Sequence, residues 1–288
     1  MEHFAPQVSI VTGGANGIGR ALAELLVERG GHVVIADLDL AAAMRTAAEV
    51  EAAAPGLGSA QAAQVDVADG DAVRGLVADV AREHHRLDFM ANNAGVLFAG
   101  PLTELSDAHW RKAIDVNLGG VVAGTTAAYE VMMKQSAGRG VRAGYILNTG
   151  SLAGLIPAPR MTPYTTTKWA VVGFSQAVRT EAASHRIQVN VLCPGYVDTK
   201  LIDDVFEPTA SYVPGSFRAN IRALQPRLLT PEVVAHKAIA GIEKDKAVIV
   251  VGAFARVSST AMRLVPPVTR AGSRMQALRE ERQARRAR

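Results

Sequence analysis

The residue order predicts an α/β fold built on a doubly wound, seven-stranded parallel sheet. Three observations predict it. Short apolar runs alternate with longer segments of helical period along most of the chain. The runs are apolar on both sets of alternating positions, which suits strands covered on both faces. A glycine cluster directly follows the first run and opens the first helical segment.

The elements follow in order. A strand at 8–11 ends at the glycines, and a helix at 18–29 closes on Gly30 and Gly31. A strand at 32–36 precedes an alanine-rich helix at 41–54, which Pro55-Gly56-Leu57-Gly58 breaks. A weak third strand at 62–65, a helix at 71–83 and a strand at 87–91 come next. One long helix is expected over 107–134, then a Gly- and Arg-rich loop at 138–144. A strand at 145–149, a helix at 164–184 and a strand at 187–192 continue the alternation. Thr230 and Pro231 provide an N-cap and a first-turn proline for a helix at 231–243. A strand at 247–251 is the last. With no composition shift inside it, residues 1–254 read as one domain and 255–288 as a basic C-terminal extension.

Composition narrows the function classes. A chain of 288 residues that is 49% hydrophobic can bury a large core. No run reaches ~18 apolar residues, so no membrane-spanning helix is expected. The polar N-terminal segment lacks the pattern of a secretory signal. The lone cysteine, Cys193, excludes an internal disulfide, and a cytoplasmic location is expected. Between Leu192 and Pro194 it reads as a small core side chain. The net charge of +4 is a property of the tail: residues 256–288 carry nine arginines and two glutamates, leaving the other 255 residues at −3. A mildly acidic body argues against a nucleic-acid partner. No His/Cys/Asp cluster has metal-ligand spacing, so no metal is expected, and His84-His85 reads as a solvated helix end.

The segment Thr12-Gly13-Gly14-Ala15-Asn16-Gly17-Ile18-Gly19 has the strand-turn-helix setting of a dinucleotide site. Gly13, Gly17 and Gly19 permit a tight turn and close approach to a pyrophosphate, which the first amides of the helix can bind. Asp37 ends the second strand, eighteen residues past Gly19. A carboxylate there can accept from both hydroxyls of an adenosine ribose and repels a 2′-phosphate. No Arg or Lys stands at 38, which is Leu38, and Asn16 is not basic. NAD(H) is therefore expected over NADP(H). Asp66 can accept from the adenine amine, and its neighbour Val67 is counted in the same site.

Tyr164 and Lys168 lie four residues apart and share a helix face. A cation beside a phenol favours the phenolate and lowers its pKa from near ~10. Such a phenol can exchange a proton with an alcohol or carbonyl. The hydroxyl of Ser151 can hold the same oxygen.

With these residues in place, the chain resembles the short-chain dehydrogenase/reductase family, in its ordinary single-domain, NAD-preferring branch. The likeness covers 8 to about 252. It rests also on Asn92-Asn93-Ala94-Gly95, on Asn117 and on Pro194-Gly195-Tyr196-Val197-Asp198-Thr199. The resemblance implies a Rossmann fold and an oxidoreductase interconverting a secondary alcohol and a ketone. It implies Tyr164 as general acid/base, Lys168 as the group lowering its pKa and binding the nicotinamide ribose, and Ser151 on the reacting oxygen. It makes Asn117 the holder of a relay water. It sets Asn93, Ala94 and Gly95 beside the adenosine ribose. Pro194, Gly195, Val197 and Thr199 fall at the nicotinamide and phosphates. Homodimers or homotetramers are implied, through the helices at 107–134 and 164–184.

The family inserts a substrate lid at about 201–226, here rich in apolar residues such as Ile202, Tyr212, Val213, Phe217, Ile221 and Leu224. An apolar alcohol or ketone is expected: a steroid, terpenoid, cyclic alcohol or fatty intermediate. Candidate substrate contacts are Ser151, Ala153, Tyr164, Tyr196, Leu201, Val205 and Phe206, with Leu152, Ile156 and Met161 as further apolar wall. Arg218, Arg222 and Arg227 are a weaker carboxylate-binding alternative. Beyond Phe254, Pro266-Pro267 interrupts any helix and 270–288 can form a basic one. A solvated extension and an arm around a sister subunit are the preferred readings of the tail, over contact with an anionic membrane surface. The alternative function is a non-catalytic dinucleotide-binding regulatory or scaffold protein on the same fold.

Overall fold

The computed structural model describes residues 4–136, 142–203, 209 and 216–286. Seven parallel strands pair in the order β3-β2-β1-β4-β5-β6-β7. They are β1 (Val8–Thr12), β2 (His32–Asp37), β3 (Ser59–Gln64), β4 (Phe89–Asn92), β5 (Gly144–Thr149), β6 (Ile187–Pro194) and β7 (Val248–Val251). The winding direction reverses between β1 and β4, and a crevice opens at the carboxyl ends of strands at such a switch point.

Side-chain alternation sends each strand into two cores. On one face Val11, Val33 and Ile35 pack under α1 (Gly17–Glu28), α2 (Leu40–Ala53) and α9 (Pro231–Glu243). On the other, Ile10, Val34 and Ala36 pack under α3 (Gly70–His84) and α5 (Gly120–Ser136). Both faces are buried, as the apolar runs predicted.

Where the boundaries differ from expectation, packing is the reason. β3 starts at Ser59 rather than 62 because it pairs along the whole of β2, from His32↔Ser59 to Asp37↔Gln64. As an edge strand it tolerates Gln61 and Gln64. The long helix expected over 107–134 is α4 (Asp107–Ile114) and α5, joined through a π turn at Asp115–Gly119. The remaining helices are α6 (Thr162–Ala182), α7 (Lys200–Asp203), α8 (Ser216–Leu224), α10 (Ala253–Leu264) and α11 (Pro266–Arg286). The proline pair does divide the tail, since α11 starts at Pro266. The tail nevertheless engages the body, because α10 buries Ala255 and Ser259. Residues 138–141 of the expected Gly- and Arg-rich loop lie outside the described residues, while Gly144 already belongs to β5. Among the described residues no helix is long and apolar enough to cross a membrane.

One reading holds only in part. His85 is exposed at the end of α3, but His84 is half-buried: its ring lies tilted, 4.3 Å from that of His32, and Nε2 of both rings is buried without a hydrogen-bond partner. The Nδ1 of His32 meets Ser59 Oγ at 2.7 Å. Burial, then the proximity of His84, holds the His32 imidazole below its usual 6.5, against smaller opposing effects of Gln61, Glu83 and Glu51. The unfolded chain therefore binds a proton that the folded chain refuses. This contribution to stability is complete above pH 6.5 and is lost as pH falls below that value. Thermal melts between pH 7.5 and 5.5 should lose less midpoint in His32→Gln than in the parent; equal losses would exclude this ring as a contributor.

Candidate active site

The glycine turn after β1 takes its shape from residues that only glycine can supply. Gly13 and Gly17 have φ of 60° and 54°, in the left-handed region. A Cβ on Gly19 would sit 2.1 Å from the Gly13 carbonyl oxygen, so α1 enters against the turn itself. Asn16, at the N-cap of α1, is extended and makes no side-chain capping bond, and the first turn contains no acid. The helices α2, α3 and α9 are capped by Asp39, Asp69 and Thr230. The opening amides of α1 are thus left to an anion.

The ends of β1, β4 and β5 are tied together around this turn. Thr12 Oγ1 accepts from the amides of Asn93 (3.0 Å) and Ala94 (3.3 Å). Asn93 Nδ2 donates to the Gly13 carbonyl at 3.2 Å, and Thr149 Oγ1 donates to Asn93 Oδ1 at 3.2 Å. Asp37, at the end of β2, accepts the Ala15 amide at 3.1 Å and the Asp39 amide at 3.2 Å.

Ser151 leaves β5 in an extended conformation and accepts the Ala153 amide at 3.1 Å. Its side chain also hydrogen-bonds Tyr164, which stands in the first turn of α6. One turn later Lys168 is 3% exposed. Its Nζ donates to the Thr149 carbonyl at 2.7 Å and lies 5.5 Å from the centre of the Tyr164 ring. Among the described residues no carboxylate pairs with it.

Burial pushes Lys168 down to about 8, so it remains mostly protonated at neutral pH. Burial also raises Tyr164 above 10.0, while the bond to Ser151 pulls the other way. The expected acidification by Lys168 is therefore not the net state of the phenol in this structure. Removal from water is the largest influence on it. Cys193 is a buried thiol pushed up to about 12 by burial, the inert core residue expected.

These groups open onto a cavity of about 360 Å³, within the range of small-molecule sites. Its wall includes Gly13, Asn16, Gly17 and Ile18 from the turn, and Asn93, Ala94 and Gly95 after β4. Ser151, Ala153, Tyr164 and Lys168 form a second side; Pro194, Gly195, Tyr196, Val197, Thr199 and Leu201 form a third.

Six expected residues stand off that wall. Gly19 lies behind the turn, packed on Gly13. Asp37 holds the turn through Ala15, and Leu38 beside it is exposed. Asp66 lies two residues past β3 rather than at its end, accepts the Ala68 amide at 2.9 Å and approaches Lys112 at 3.8 Å. Val67 is buried in the core beside Val65. Asn117, fully buried, spends its side chain on Val96: Oδ1 accepts the Val96 amide at 2.8 Å and Nδ2 donates to the Val96 carbonyl at 2.9 Å. Val205, Phe206, Tyr212 and Val213 lie outside the described residues.

Sequence reading missed Val96, Leu97, Thr149, Gly150, Ala158 and Lys200 on the wall. Val96 and Leu97 simply continue the Asn92–Gly95 segment, and Lys200 follows Thr199; adjacency to a motif was the available signal. The lid residues Ile202, Phe217 and Ile221 do reach the cavity, as do Leu152, Ile156 and Met161. Arg218 is held by Asp198 at 2.9 Å.

The crevice suits a dinucleotide: an uncapped helix start, a glycine cradle and a carboxylate at the end of the neighbouring strand meet at the switch point. Among the described residues no group of three or more potential ligands could hold a metal.

Comparison with known proteins agrees with this geometry. A family model, short chain dehydrogenase, matches residues 7–210. A cis-4-hydroxycyclohexanecarboxylate dehydrogenase from Sinomonas cyclohexanicum is 36% identical over 264 residues, 89% of this chain and 96% of the relative. The NAD(+)-dependent 15-hydroxyprostaglandin dehydrogenase of Mus musculus is 32% identical over 249 residues, 84% of this chain and 87% of the relative. The crystal structure of a short chain dehydrogenase/reductase from Burkholderia phymatum in complex with NAD superposes with a TM-score of 0.77 at 27% identity, covering 92% of this chain and 96% of that one.

Proposed function

The chain belongs to the short-chain dehydrogenase family and is an NAD-dependent alcohol oxidoreductase, and from that premise we propose that it interconverts an apolar secondary alcohol and its ketone with Tyr164 as the proton-transferring group. One observation carries the reading: Ser151, Tyr164 and Lys168 converge on the wall of one largely apolar cavity, beside the glycine turn.

The bound dinucleotide supplies the hydride acceptor for oxidation and the hydride donor for reduction. The residues suited to hold it are the amides at the start of α1 for the pyrophosphate, Asp37 for the adenosine ribose, Lys168 for the second ribose, and Pro194 to Thr199 at the nicotinamide end. Ser151 orients the substrate oxygen. In oxidation the phenolate of Tyr164 takes the hydroxyl proton; in reduction the phenol returns it to the carbonyl oxygen. Lys168, protonated near neutrality, favours the phenolate. Asn117 supports this wall by fixing the backbone of Val96.

Leu152, Ile156, Met161, Tyr196, Phe217 and Ile221 favour a greasy substrate, and the named substrates of the two relatives support a cyclic or fatty alcohol. A hydroxy acid is the second reading, because Lys200 also lines the cavity and can meet a carboxylate at its edge. A non-catalytic scaffold would need no buried lysine beside a phenol. Exposed Ile114, Val122 and Met133 on the α4–α5 helix and Trp169 on α6 support a homo-oligomer through these two helices.

The test is turnover of NAD⁺ against steroid, terpene and cyclic alcohols, followed by NADH absorbance. No turnover across all three classes would reject the reading. The cofactor preference rests on Asp37. In Asp37→Ala the ratio of kcat/KM for NAD⁺ over NADP⁺ should fall by about tenfold, the worth of one charge-assisted hydrogen bond. An unchanged ratio would remove Asp37 from that role.

A further inference from the structure

The loop between the Ser151 turn and α6 reads Ile156-Pro157-Ala158-Pro159-Arg160-Met161, and Ile156, Ala158 and Met161 face the cavity. Its two prolines have no amide hydrogen, so the loop cannot secure itself by turn or ladder bonds at those positions. It is secured through its carbonyls, by donors from outside it. Trp169 Nε1 donates to Ile156 at 3.4 Å, Thr165 Oγ1 to Ala158 at 3.2 Å, and the Gly100 amide to Arg160 at 2.8 Å. The carbonyl of Pro157 accepts at 3.1 Å from Ser273 Oγ, 116 residues away on α11.

A second contact joins the same extension to the cavity wall. The ring of Phe254, at the start of α10, stacks on Tyr196 with centroids 6.0 Å apart, and Ala255 is fully buried beside Gly195. The extension α10–α11 thus touches Tyr196 on the cavity wall, and Pro157 between the wall residues Ile156 and Ala158. On α11 the half-buried residues Ser273, Gln276 and Ala277 share one face, while Met275 and Leu278 are exposed.

We propose that α11 supports the substrate site: through Ser273 it positions the 156–161 loop, so that α11 sets the fit of the substrate and leaves the glycine turn at 13–19 untouched. Ser273 is a positioning residue; it acts through Pro157 and reaches no reacting atom. The proposal rests on the cavity being the alcohol site.

Three proteins test it against the full chain: Ser273→Ala, Ser273→Thr and a chain ending at Val265. Amide hydrogen exchange is measured over 155–161, with the turn at 13–19 as internal control. Exchange in the loop should accelerate at least tenfold in the truncated chain and about two- to fivefold in Ser273→Ala, with Ser273→Thr near the parent and 13–19 unchanged. With cyclohexanol as probe, KM should rise about five- to tenfold on truncation and two- to fivefold in Ser273→Ala. The kcat and the KM for NAD⁺ should stay within twofold. Loop exchange equal in all four proteins overturns the proposal, and so does equal acceleration at 13–19, which would mean general loosening. If the full chain does not oxidise cyclohexanol, that result bears on the substrate assignment alone, and the exchange comparison still decides the role of α11.

Discussion

Tyr164→Phe is expected to lower kcat by about 10²–10⁴-fold, the usual worth of a positioned proton donor, while NADH binds within about twofold of the parent. The substitution removes one oxygen and leaves the ring in its half-buried place on α6. The apolar contact of Tyr164 with Leu97 and Met161 survives, as does the packing of Lys168 against the ring. Ser151 loses one partner but keeps the Ala153 amide. Fluorescence titration with NADH and single-turnover kinetics separate binding from chemistry. A purified variant that retains more than a few per cent of the parental rate would show that another group moves the proton.

The setting of the half-buried phenol accounts for the size of the expected loss. In the protein as described, removal from water makes Tyr164 a weaker acid than a free phenol. On the proposed mechanism tyrosinate would form only where positive charge surrounds it, supplied by Lys168 and by an oxidised dinucleotide once bound. Proton transfer would then be tied to the loaded state, and oxidation should accelerate as pH rises.

The legible parts of this molecule are those encoded by spacing. The Tyr164–Lys168 interval, the glycines at 13, 17 and 19 and the alternation of strands and helices each have a single simple geometric translation, and the sheet carries them at its switch point. What was not legible depends on competition between terms that no spacing records. The phenol's acidity is one case, since desolvation makes it a weaker acid while the bond to Ser151 works the other way, and desolvation is the larger of the two. Asn117 is another. The π turn at Asp115–Gly119 lies around it, and its side-chain amide closes on the Val96 backbone rather than facing the cavity. The two histidines are a third, because His32 and His84 lie on different elements and meet only once β2 and α3 are packed. The tail is a fourth: its arginines suggested solvent, while Ala255 packs beside Gly195 and Ser273 bonds the Pro157 carbonyl.

Lys168→Met separates the charge from the packing. Methionine fills nearly the same apolar volume, so the surroundings of a side chain that is only 3% exposed should close around it without a large cavity. Removing a buried cation that has no carboxylate partner among the described residues relieves desolvation, and against this stands the Thr149 carbonyl, which loses its donor at a cost of about 1–3 kcal/mol. Thermal stability should therefore change by only a few degrees. Activity should not be spared: at pH 7 kcat/KM for oxidation should fall by about 10²-fold, in the range for loss of one preorganised electrostatic group. The pH dependence carries the sign. Lys168 sits at about 8, so the parent has its cation below that pH and loses it above. The deficit of the variant should consequently be largest below pH 8 and should shrink as pH rises past it. The ascending limb of the oxidation profile should also move to higher pH, because the phenolate no longer has its neighbour. Parallel profiles, displaced by one constant factor from pH 6 to 10, would mean that Lys168 serves only to hold the ribose and that the acidity of Tyr164 is set elsewhere.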